Sequence, residues 1–253
     1  MAVIKTPEEI EILREGGKRL ARIMDAVCAA AVPGVTTLEL DRLAEKLVRE
    51  GGDTPALLGY QPRGSRIPYP ATICISVNDE IVHGIPSSRV LKDGDIVGLD
   101  LVIEHSGMFT DMARTVEIGK VDAKAHDLVE TTSKALAAGI AEVHAGARMG
   151  DVSAAIEAVA NKKGYGVVRE LGGHGVGNEI HETPYVPNFG KPGKGEVLKA
   201  GMVFAIEPMF TAGSPEIVLA GDEYTYKTRD GKRSAHFEHT VLVTDKGAEI
   251  LTL

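Results

Sequence analysis

Asp100 interrupts an otherwise apolar run, Ile96-Val97-Gly98-Leu99-Asp100-Leu101-Val102-Ile103, and Asp111 stands in the β-prone segment that follows, from Met108 to Ile118. Between them Glu104-His105-Ser106-Gly107 reads as a tight turn, so the two segments form a hairpin. With His105 and Ser106 as the loop residues, the register places Asp100 directly across from Asp111. Directly opposed Cβ atoms lie about 4.5–5.5 Å apart, and like charges there repel. Burial in an apolar strand adds a desolvation cost. A shared proton or cation relieves both effects. A register one residue off would instead send one aspartate into solvent.

Four further segments can do chemistry. Leu171-Gly172-Gly173-His174-Gly175-Val176-Gly177 sets one histidine among four glycines, which permit close approach of backbone or ligand and positive φ. His181 follows in Ile180-His181-Glu182-Thr183-Pro184. Taken alone, either histidine is more often a plain loop residue than a functional one. Glu207 breaks the buried-strand run Met202-Val203-Phe204-Ala205-Ile206-Glu207-Pro208-Met209-Phe210, and Glu238 breaks Phe237-Glu238-His239-Thr240-Val241-Leu242-Val243. A lone buried Glu ordinarily has an Arg partner, and neither strand supplies one. Apolar strands carrying unpaired acids, with a glycine-cradled His, make a hard, oxygen-rich donor set for divalent cations. Asp, Asp, His, Glu, Glu suits two ions about 3.5–4 Å apart.

The order and context of these motifs resemble the methionine aminopeptidases of the pita-bread fold, in their short type I form, over essentially the whole chain. The resemblance implies an α/β pita-bread fold: two pseudo-symmetric halves around a central antiparallel sheet, in a single metallopeptidase domain over residues 1–253. It implies that Asp100, Asp111, His174, Glu207 and Glu238 are the metal ligands, with Asp111 and Glu238 bridging two divalent ions. Such ligands accept Co, Mn, Fe or Zn. Two non-ligand active-site histidines of the family are matched by His83, in Val82-His83-Gly84-Ile85-Pro86, and by His181.

The activity so implied is removal of the initiator methionine from nascent polypeptides whose second residue is small, by a hydroxide bridging two metals. Glu207 would be general base, His181 would donate to the developing oxyanion, and His83 would contact the peptide near the scissile bond. Tyr60, Tyr69, Cys74, Ile180 and Tyr224 match positions that line the methionine pocket. Ile180 and Tyr224 replace larger or different aromatics, and Arg63-Gly64-Ser65-Arg66 departs from the family's usual loop. By the same resemblance, Met1-Ala2 makes this chain a substrate of its own activity.

The elements that must position these residues are legible in caps and periodicity. Thr6 and Pro7 read as N-cap and first residue of a helix that Pro33-Gly34 stops. Thr36, with Glu39 three residues on, opens a second helix ending at Gly51-Gly52. Helices are expected again from about Ala123 to His144, and from a cap at Asp151 to Gly164. A shift of about 112 residues places Gly34 on Gly146, Leu40 on Val152, Ala44 on Ile156 and Gly52 on Gly164, and β-rich sequence follows each helix pair. That shared order predicts a duplicated α/β unit. No linker separates the halves.

The 253 residues, 43% hydrophobic with a formal charge of −8, allow a sizeable core and argue against broad nucleic-acid binding. Cys28 and Cys74 show no pairing or zinc spacing and read as core thiols of a reducing compartment. No signal peptide and no apolar run near the roughly 20 residues of a membrane span is evident, which predicts a cytoplasmic protein without a membrane partner. The resemblance favours a monomer, and any transient ribosome contact would have to use the domain itself. A proline-directed exopeptidase of the same fold would ordinarily carry an extra N-terminal domain. A non-catalytic binding module would lose metal ligands.

Overall fold

The computed structural model describes residues 3–62 and 64–253. Met1, Ala2 and Arg63 lie outside the described residues, and with them the expectation for the chain's own first two residues.

Thr6 caps α1 (Pro7–Ala30): its hydroxyl accepts from the Glu9 amide at 3.2 Å while Glu9 Oε2 accepts from the Thr6 amide at 2.7 Å. Thr36 and Glu39 repeat this reciprocal pair before α2 (Thr37–Glu50). A cap of this kind stabilises by about 1 kcal/mol. The first half continues with β1 (Thr54–Pro55), β2 (Ile73–Val77), β3 (Glu80–Val82), β4 (Ile96–His105) and β5 (Met108–Glu117).

The second half opens with α3 (Ala123–Ala141) and α4 (Met149–Lys163). Here α3 stops three residues short of His144, and Asp151 is not the cap of α4. It sits in the first turn and accepts from the amide of the cap residue, Arg148, at 2.8 Å. There follow β6 (Gly166–Val167), β7 (Gly172–Gly175), β8 (Glu182–Pro187), β9 (Val203–Ile206) and β10 (Met209–Thr211). The chain ends with β11 (Ile217–Leu219), β12 (Tyr226–Thr228), β13 (Ser234–His236), β14 (Glu238–Thr244) and β15 (Gly247–Ile250).

The repeat is written in the hydrogen bonds. Gly34 N donates to Leu91 O at 2.9 Å and Leu91 N to Val35 O at 2.8 Å, while Gly146 N donates to Leu198 O at 2.9 Å and Leu198 N to Ala147 O at 2.8 Å. Gly34 and Gly146 share φ near 96° and 92°, and Gly52 and Gly164 near 81° and 76°. Gly94 N to Ile118 O leads into β4 just as Gly201 N to Val243 O leads into β9.

Among the described residues, nine strands form one antiparallel sheet, ordered β1-β4-β5-β14-β9-β7-β8, with β2 also on β4 and β15 also on β14. Two three-stranded sheets, β13-β10-β6 and β11-β12-β3, complete the strands. Successive side chains alternate between faces, which sorts each strand. Val97, Leu99, Leu101 and Ile103 of β4 pack with Leu20, Met24, Leu40 and Ala44 of α1 and α2. Phe204 and Ile206 of β9, with Val241 and Val243 of β14, pack with Leu128, Val152 and Ile156 of α3 and α4. The helices therefore claim one face of the sheet, and the residues of opposite parity, Cys74, Asp100, Val102, Asp111, Glu207 and Glu238, line a cavity on the other.

Candidate metal centre and substrate pocket

The β4–β5 register pairs Asp100 with Ala113 and Asp111 with Val102. The two aspartates are thus diagonal neighbours, not directly opposed as the His105–Ser106 loop would require. The reason is the turn: Ser106 and Gly107 occupy it, with φ of 51° and 83°, the positive pair a two-residue hairpin turn needs. Moving the turn by one residue shifts pairing by two positions, so both aspartates keep the same face. Their carboxyls remain close enough for the Asp100 charge to help push the Asp111 carboxyl up.

β14 brings Glu238 opposite Ala113 of β5. Glu207 follows β9 between Ile206, which faces His239, and Met209, which faces His236. β7 supplies His174. A Cβ at Gly173 would stand 2.2 Å from Ala205 O and one at Gly175 2.3 Å from Thr183 O, so these glycines serve the approach of neighbouring strands. His174 Nδ1 lies 3.0 Å from Gly175 O, and donation there leaves the Nε2 lone pair turned to the acids. That atom is 3.8 Å from Asp111 Oδ2 and 3.7 Å from Glu207 Oε1.

Burial pushes the Asp111 and Glu238 carboxyls well above their ordinary range, and their acidic neighbours push the same way. Burial likewise raises Asp100, to about 6, with His236 opposing. Burial also acts to raise Glu207, but hydrogen bonding to His236 and the nearby His174 outweigh it and hold Glu207 below its usual value. Asp111 Oδ1 and Glu238 Oε1 are buried without a hydrogen-bond partner among the described residues. Asp111, His174 and Glu238 each offer a ligand atom within 4.8 Å of the others. Orphaned carboxylate oxygens beside an imidazole lone pair fit a divalent cation, which would neutralise charges that otherwise hold protons.

A cavity of about 760 Å³ opens over these groups. It brings together all twelve residues singled out in the sequence: Asp100, Asp111, His174, Glu207, Glu238, His83, His181, Tyr60, Tyr69, Cys74, Ile180 and Tyr224. One wall away from the acids is apolar and aromatic, built from Leu57, Tyr60, Tyr69, Cys74, Val102, Ile180 and Tyr224. Tyr69 Oη donates to Gly84 O at 2.8 Å, and Tyr224 Oη bonds Ile67 O and accepts from Ser65 Oγ, so both hydroxyls are engaged outside the pocket. Burial keeps the Cys74 thiol protonated. Leu57, Val102 and Ile180 fill the remainder. Ser65 and Arg66, of the unusual loop, also line this cavity, and Arg66 pairs with Glu223.

His181 and His83 are both held near 4, chiefly by burial and further by neighbouring histidines, so each is neutral. His181 Nδ1 lies 3.1 Å from Tyr60 Oη.

One residue of the site escaped the sequence reasoning. His236 Nε2 is buried, lies 3.5 Å from Glu207 Oε2 and 4.0 Å from Glu238 Oε2, and makes no hydrogen bond of ordinary geometry among the described residues. His236 faces Met209 as Asp111 faces Val102, so it is the counterpart of Asp111 in the second half. Its spacing of two from Glu238 was the available signal, since alternation sends both to one side.

The sequence pattern of metallopeptidase family M24 matches residues 11–245. The chain is 43% identical to methionine aminopeptidase 1 of Bacillus subtilis over 253 residues, covering 100% of this chain and 99% of that one. It superposes on the crystal structure of a methionine aminopeptidase from Rickettsia prowazekii with a TM-score of 0.96 at 38% identity, both chains covered completely. Its architecture is thereby the pita-bread fold. A prolidase from Pyrococcus furiosus is more distant, with a TM-score of 0.78 at 25% identity, and this chain covers 66% of it.

Proposed function

The chain belongs to metallopeptidase family M24, and we propose that Asp100, Asp111, His174, Glu207 and Glu238 would hold two divalent metal ions, with Asp111 and Glu238 central to the set. It is a methionyl aminopeptidase, a hydrolase that removes N-terminal methionine. The observation that carries the metal assignment is the pair of buried, unpartnered oxygens, Asp111 Oδ1 and Glu238 Oε1, beside His174 under an apolar-walled cavity. Bound divalent ions supply Lewis acidity and lower the pKa of water.

The residues of the chain do the rest. Glu207, held ionised, takes the proton from the attacking water and passes it to the leaving amine. Burial keeps the Tyr60 phenol protonated, and its hydroxyl donates to His181 Nδ1. The neutral imidazole then carries its proton on Nε2, free to donate to the oxyanion as charge develops. His83, also neutral, contacts the peptide beside the scissile bond. Tyr60, Tyr69, Cys74, Ile180 and Tyr224 receive the methionine side chain, whose thioether needs no polar partner.

Substrates are polypeptides with a free N-terminus, methionine first and a small residue second. A panel of Met-Xaa peptides assayed with each candidate metal tests this. Rates on Met-Leu and Met-Lys similar to those on Met-Ala would replace the specificity claim with a broad aminopeptidase.

A further inference from the structure

Lys5 is a cation with a wholly buried side chain, far in sequence from the groups it touches. Its backbone amide is fixed to Gly201 O at 2.8 Å. Its Nζ donates to Asn178 Oδ1 at 2.6 Å and to both Glu182 oxygens at 3.0 and 2.8 Å, so all three donors of the ammonium are used. Glu182 Oε1 accepts in turn from the amides of Glu179, at 2.9 Å, and Asn178. The carboxylate thus ties the start of the segment 178–182 to its end, and His181 lies within that closed segment. The lysine side chain also runs directly beneath Gly177: a Cβ there would stand 2.6 Å from Lys5 Cε and 2.8 Å from Nζ. One side chain therefore underlies both the end of the glycine-rich loop that carries His174 and the turn that carries His181.

A buried ion pair is weak evidence for stability, since a neutral apolar pair of similar volume often does as well. Its geometry is specific, however, and it acts on a turn whose imidazole must be placed to a fraction of an ångström. We propose that Lys5 is a positioning residue for catalysis, holding His181 on the substrate through the Lys5–Glu182–Asn178 clamp. This rests on the reading of His181 as oxyanion donor given above.

The test uses the full-length, metal-loaded enzyme on a Met-Ala peptide. Lys5→Met should lower kcat roughly 10–100-fold, the scale of a misplaced catalytic group. KM should change little and metal content should be unaltered. Should Lys5→Met fail to fold, the neutral pair Lys5→Met/Glu182→Gln leaves no uncompensated buried charge and should fold with the same loss of kcat. Groups acting as a unit are non-additive, so either change made in a His181→Ala background should lower kcat little further. Recovery of wild-type kcat in the folded double variant overturns the inference. So does a loss that multiplies with that of His181→Ala. If His181→Ala alone is fully active, the role of His181 falls first and this inference with it.

Discussion

The hydroxyl of Tyr60 stands 3.1 Å from Nδ1 of His181 where both line the cavity over Asp111, His174 and Glu238, joining a wall residue to the proposed oxyanion donor. Tyr60→Phe keeps the ring and removes the hydroxyl proposed above to select the Nε2–H tautomer. Its kcat should fall up to about tenfold, the scale of one net hydrogen bond, with metal content unchanged. Steady-state kinetics beside metal analysis check it; an unchanged kcat would show that another group sets the tautomer.

His181→Ala removes the donor itself. It should leave metal binding near normal and lower kcat roughly 10²–10³-fold. Loss of metal from this variant would mean that His181 is a ligand.

On the proposed two-ion reading, Asp111→Asn should weaken the binding of both ions, because Asp111 is central to the ligand set and loses its charge. Calorimetric titration of the metal-free variant should show two weakened sites. One weakened site with the other intact would assign Asp111 to a single ion.

His236→Leu removes the imidazole that stands 3.5 Å from Glu207 Oε2. The variant should bind substrate with little change in KM and lose about tenfold in kcat, whereas His236→Gln, which keeps an N–H donor, should retain most of the activity. Equal loss in both variants would assign the imidazole a role other than donation.

The helices were legible because their signals are local. Thr6 and Thr36 announce their caps, and the stripe Leu40, Ala44, Val48 turns to the core. The acids were legible because charge without a partner in an apolar strand is conspicuous, and alternation alone put them on one face. The register was not, because Glu104-His105-Ser106-Gly107 allows two turns, and the choice depends on positive φ at Ser106 and Gly107. The cap of α4 was misread for a similar reason: Asp151 has a cap's chemistry but serves Arg148 from the first turn. His236 is not legible because it ends the short segment Ser234-Ala235-His236, with no apolar run around it to make a polar residue conspicuous. The contact of Lys5 with Glu182 spans 177 residues, and no local pattern reports it.

The central claim is that carboxylates and one imidazole, centred on Asp111, His174 and Glu238, act through bound divalent ions to release N-terminal methionine. The most direct test follows methionine release from a Met-Ala peptide by chelator-stripped protein, as Mn or Co is added back in measured equivalents. The stripped protein should be inactive, and activity should return with added ion and level off by two equivalents per chain. A full rate of methionine release from stripped protein, with no metal found by elemental analysis, would contradict the account.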